Sequence, residues 1–262
     1  MDRDPHPTRI LFATGMIALG LLGLAYGDFA LQWQPVPAWL PWRGAVAYAS
    51  AIIMLAGGIG LLFTRTAAMS IRILFPYLLL WMLLKVPAVV MVPQMEATWL
   101  GLGEIVVLLA GGWVLFARLA DLPEDTALKF AVGPSGTRIA RYLFAIALLP
   151  IGLAHLVYPT ETAALVPAWL PARTGWAYLT GAGQIAAGLG VLFSILPWLA
   201  AAAEATVLTL FALLVWVPAV VAKPTDRFSW TALLIIWAIA AAAWVVAGSI
   251  ASPAHQSSTG RA

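Results

Sequence analysis

Four ionisable residues stand inside long apolar runs of the sequence: Lys85, Glu104, His155 and Glu204. A charge held in hydrocarbon costs roughly 2.5–3.5 kcal/mol on insertion scales, so each should have a partner or a task. Lys85 lies seven positions before the end of one run at Val92, and Glu104 five positions after the start of the next at Trp99. At about 1.5 Å of rise per residue, their depths differ by only about 3 Å. The runs are joined by a short loop and should be antiparallel neighbours, so the spacing predicts a Lys85–Glu104 ion pair below the surface. His155 stands near the end of its run and reads as an interfacial or hydrogen-bonded histidine. Glu204 sits several residues inside another run, where solvation near one face and pairing with Gln184 are both open.

Other chemistries find no residues to carry them. The chain has no cysteine, and two of its three histidines, His6 and His255, lie in polar tails. Thiolate metal sites, disulfides and paired-histidine haem ligation are therefore not expected. There is no Gly-rich phosphate loop and no Gly-x-Ser-x-Gly elbow. No basic cluster interleaved with aromatics suggests nucleic acid. No catalytic set, metal site or evident cofactor follows from the residues.

The elements that must position these groups follow from composition. Of 262 residues, 63% are apolar and 10% charged, with a mean hydropathy of +0.94. A soluble domain carries about 25% charged residues, so this chain's outer surface must meet lipid. A spanning helix takes about 20 apolar residues. Eight runs approach that length: 10–26, 45–63, 73–92, 99–117, 139–157, 175–193, 198–221 and 228–250. The expected fold is all-α, a polytopic transmembrane helical bundle.

The runs fall into two sets of four. VPAWLP occurs at 36–41 and again at 166–171, 130 positions later. Arg43/Arg173, Tyr48/Tyr178 and Gly58/Gly188 keep that spacing, VPAVV recurs at 131 and LFA at 132. Such self-similarity marks a tandem repeat. The expected organisation is a four-helix membrane repeat at 1–118, a cytoplasmic linker at 119–138, a second repeat at 139–250 and a polar tail at 251–262. The first run, 10–26, has its counterpart mid-chain and so reads as a retained span. Four spans per unit put both units the same way up, a parallel repeat. Nine Lys and Arg residues then lie on the side of the termini against four (Arg43, Arg173, Lys223 and Arg227) on the other. That bias places both termini in the cytoplasm of a multi-pass cell-membrane protein.

VPAWLP falls on the outer side of each unit. Trp39 and Trp169 suit headgroup depth, and Pro41 and Pro171 shape entry into the following helix; Pro37, Pro167, Arg43 and Arg173 complete this interfacial loop motif. The sharper reading is a cap over a ligand cavity. Glycines at 57, 58, 60, 188 and 190 suit close helix packing. The two charges of the first unit have no equivalents in the second, where Trp216 and Ile235 occupy the positions of Lys85 and Glu104.

The segment LVPAWLPARTGWAYLTGAGQIAAGLGVLF at 165–193 resembles the second helix of the DoxX-like integral membrane proteins, and VPAWLPWRGAVAYASAIIMLAGGIGLLFTRTAA at 36–68 resembles a second copy. Lys85-Val86-Pro87 and Gly103-Glu104 stand where that family carries a His near a Pro and a Gly-x-Glu. Met54 and Gln184 replace its second-helix Glu. The resemblance implies a four-helix bundle per repeat and, in some relatives, association with quinone-linked or sulfur-oxidising redox systems. Three functions are open: a non-catalytic membrane subunit or scaffold, a membrane subunit of a quinone-linked oxidoreductase, and a small-molecule carrier. Their partners would be the lipid bilayer and a membrane or redox protein.

Overall fold

The computed structural model describes residues 7–122 and 127–250, which form helices and no strand. The polar tail at 251–262 and linker positions 123–126 lie outside the described residues. The helices are α1 (Pro7–Tyr26), α2 (Arg43–Leu62), α3 (Thr64–Met91), α4 (Glu96–Leu119), α5 (Gly133–Val157), α6 (Pro159–Leu165), α7 (Arg173–Leu192), α8 (Pro197–Phe211), α9 (Val217–Ala222) and α10 (Arg227–Ser249). Tight 3-10 turns occupy Leu31–Trp33 and Lys129–Ala131, and a π-helical turn, Ala212–Trp216, joins α8 to α9. Seven helices are long and apolar enough to cross a membrane: α1 to α5, the continuous Pro197–Ala222 segment and α10. The 20 residues of α7 match α1 and α2 in length, but Arg173, Thr174, Thr180 and Gln184 dilute its apolar character.

Element boundaries differ from expectation where the chain turns tightly. One extended residue, Phe63, separates α2 from α3, so α3 begins well before position 73 and runs for 28 residues. Pro76 and Pro87 both lie inside it. The matching Pro218 in the second half follows the π turn. Proline cannot donate to the carbonyl four residues back and its ring crowds that oxygen. The wider i→i+5 pattern relieves both faults.

The centre of the molecule is α4 against α10, each with 67% of its apolar window buried, whereas α3 and Pro197–Ala222 have 22% and lie at the periphery. Small residues set the central approach: a Cβ added to Gly111 would sit 2.5 Å from Ala242 Cα. Around this pair, α1 packs on α2 and α10, while α5 packs on α7 and α4. The first helix of each half thus seats against the last helix of the other, and α1 barely touches α4. α4 and α10 share a single core, in which the two sets of helices interlock.

Several local features recur at the spacing read from the sequence. Trp42 (φ 59°) and Ala172 (φ 52°) are both left-handed and immediately precede α2 and α7. The Trp99 indole donates to Pro93 O at 2.9 Å, as Trp230 does to Pro224 O at 2.8 Å. A Cβ on Gly58 would lie 2.9 Å from Ala13 O, and one on Gly188 2.7 Å from Ala145 O.

Candidate functional site: a polar network around a re-entrant turn

After α1 the chain reverses at Gly27, whose φ of 61° is a left-handed conformation that glycine adopts without strain. It then dips into the helices, burying Phe29, Ala30 and Trp33. Irregular backbone survives at such depth only where its polar groups are satisfied within the protein. Here side chains from two helices, α3 and α10, and from the turn itself do so. Trp81 Nε1 donates to Trp33 O, Lys85 Nζ to Gln32 O at 2.6 Å, and Arg227 Nη2 to Phe29 O at 2.8 Å. The Ala30 amide donates to Gln34 Oε1 at 2.8 Å.

The two intramembrane charges are both recruited by this turn. Glu104 Oε2 accepts from Trp33 Nε1 at 2.6 Å, while Lys85 binds the preceding carbonyl. The expected direct ion pair does not form; among the described residues, ion pairs join Asp28 to Arg43 and to Arg227. Both groups lie at one level, as the spacing predicts, but residues 32 and 33 of the turn supply each with a partner of its own. They remain within electrostatic reach of each other.

The network continues outward. Gln34 Nε2 donates to Tyr77 OH at 2.7 Å and Ser50 Oγ at 3.2 Å, and those two hydroxyls lie 2.7 Å apart. At the surface Asp28 accepts from Arg43, and its other oxygen lies 3.2 Å from Arg227. The guanidinium groups also lie over rings, Arg43 5.3 Å from Phe29 and Arg227 5.1 Å from Tyr26. Burial pushes the Asp28 carboxyl up, but the Phe29 amide and the two arginines outweigh it and hold it below the usual range. Beneath the turn is a cavity of about 10 Å³, bordered by Asp28, Gln34, Ser50, Met54, Arg227 and Thr231. That is room for roughly one water molecule.

The remaining candidates are placed as follows. Trp39 and Trp169 are 79% and 70% exposed, as headgroup anchors would be. VPAWLP does not border the cavity; the upstream residues 28–30 and 34 cover it. Pro37, Pro41 and Arg43, with Pro167, Pro171 and Arg173, lead into α2 and α7. His155 Nδ1 is 2.9 Å from Thr180 Oγ1, and its ring stacks on Phe211 at 5.8 Å. Glu204 is 2% exposed and accepts from Gln184 Nε2 at 3.2 Å. The solvated reading of Glu204 is thus corrected and the pairing with Gln184 observed. Trp216, at the position of Lys85, packs edge-on against Phe228 at 5.8 Å.

Sequence reasoning missed Asp28, Trp33, Gln34, Ser50 and Tyr77. The available signal was the stretch GDFALQWQP at 27–35, whose Trp and two Gln have no counterpart in the second half. It also missed Glu96 in the first turn of α4, which is 9% exposed with no hydrogen-bond partner on either carboxylate oxygen. Comparison with protein-family models, curated proteins and solved structures returned no match.

Proposed function

We propose an eight-span integral membrane protein of DoxX-like type, a tandem parallel repeat with both termini cytoplasmic, serving as a non-catalytic membrane subunit or scaffold. Seven apolar helices support the membrane reading. The equal length of α7, and its packing on α5 and α8 as α2 packs on α1 and α3, support an eighth span. The function rests on one observation: Lys85 and Glu104, the groups best suited to chemistry, are engaged by the re-entrant turn. Charges used in this way fix the shape of a surface. They stiffen the outer mouth of the first half, a suitable platform for a partner protein.

A quinone-linked oxidoreductase subunit is the second reading. It is favoured by the Trp33 indole on Glu104, which sets an aromatic ring and a carboxylate side by side as a quinone head group would require. Purification in mild detergent followed by mass spectrometry of everything retained separates the two. A stoichiometric protein partner without quinone supports the scaffold; stoichiometric quinone overturns it in favour of the second reading.

A further inference from the structure

The side of the molecule that carries the helix ends next to the termini holds a charge cluster unused by the outer network. Arg118, in the last turn of α4, directs Nη2 to Gly248 O at 3.5 Å. Arg141, on α5, donates from Nε to Ser249 Oγ at 2.9 Å and from Nη2 to Ser249 O. Two guanidinium groups from different helices thus converge on the carboxyl end of α10. Arg138 stands one turn before Arg141 on α5, and Arg141 feels the positive charge of both Arg118 and Arg138. Among the described residues, none of the three is in an ion pair.

Carbonyls at a helix end carry about half an elementary negative charge, so they offset only part of three full positive ones. Each guanidinium has five N–H donors, most of which the α10 terminus leaves unused. Arg118 and Arg138 are exposed. Beside them the 3-10 turn Lys129–Ala131 is tied to α4 by Trp113 Nε1 donating to Ala131 O at 3.0 Å. It presents Phe130, 56% exposed, next to Lys129. Cations beside an exposed ring at the end of apolar helices match a headgroup region, with phosphate above and acyl chain below.

We propose that Arg118, Arg138 and Arg141 form a binding site for the phosphodiester of an anionic phospholipid in the leaflet on the side of the termini. The lipid supplies the negative charge that the α10 terminus only partly provides, and its chains lie along the exposed Tyr142 and Ile146 of α5. The inference requires that the chain be embedded in a bilayer and does not depend on the scaffold reading.

The test uses the delipidated full-length chain in detergent. Lipid adducts are counted by native mass spectrometry, and thermal stability is followed with added phosphatidylglycerol, phosphatidylcholine or inorganic phosphate. Phosphatidylglycerol should bind and stabilise where phosphatidylcholine does not, with affinity falling about fivefold in Arg118→Gln and again in Arg138→Gln. Arg65→Gln removes an equal charge at the exposed α2–α3 corner and should leave binding unchanged. Arg141 is left intact because it also holds the end of α10. Equal response to both lipids, equal loss in Arg65→Gln, or full reproduction of the stabilisation by inorganic phosphate would each overturn the proposal.

Discussion

At the scale of single residues, the geometry predicts which pairs are energetically coupled. Trp33 and Glu104 share a hydrogen bond, whereas Lys85 and Glu104 act on adjacent residues of the same turn. A double-mutant cycle with Trp33→Phe and Glu104→Met should give a coupling of about 1–3 kcal/mol in detergent melts. The Lys85→Met/Glu104→Gln cycle should give clearly less; the reverse order would mean that the charges meet directly. Gln184 and Glu204 behave as a buried unit. Gln184→Met alone should destabilise by about 1–3 kcal/mol, because it leaves a buried carboxyl without its donor, and adding Glu204→Leu should recover most of that loss. Glu96→Gln should raise the melting temperature, since its oxygens have no partner to lose. The sequence identified the buried charges because an ionisable residue in an apolar run is conspicuous. It could not identify their partners, because a tryptophan N–H or a loop carbonyl leaves no mark in composition.

Among the elements, the re-entrant turn is latched to both halves by Asp28, which joins Arg43 at the start of α2 to Arg227 at the start of α10. The folded-state pKa of Asp28 is depressed. The latch therefore contributes fully above the unfolded value near pH 4 and is lost as pH falls through the folded value. Asp28→Asn should lower the melting temperature at pH 7, and the gap from the parent should narrow progressively as the pH is taken below about 4. A gap that persisted unchanged in acid would show that the carboxylate charge is irrelevant. The helices themselves were readable from apolar run length, including two prolines that do not interrupt α3. Their ends were less so: α3 starts early because one extended residue suffices to turn the corner from α2. The turn at 28–34 escaped notice because a short mixed-polarity stretch reads equally well as a surface loop or as a buried one.

For the molecule as a whole, the proposed eight spans put the two ends of α7 on opposite faces of the bilayer. The chain contains no cysteine, so single reporters are unambiguous. Ala172→Cys should label from the face that also labels Trp39→Cys, and Ser194→Cys from the opposite face. Labelling of Ala172→Cys and Ser194→Cys from one face would reduce the count to seven. The doubled VPAWLP motif suggested a division into two halves but not how they join, because joining depends on which faces α1 and α5 bury. Each seats on the other half's final helix, through Gly15 against Ala238 in the case of α1. Neither half therefore completes its own interior. A gene cut after residue 122 would yield two fragments that need each other. Made alone, the leading fragment would leave bare the Gly15 face of α1 and the Gly111 face of α4, both of which α10 covers in the intact chain.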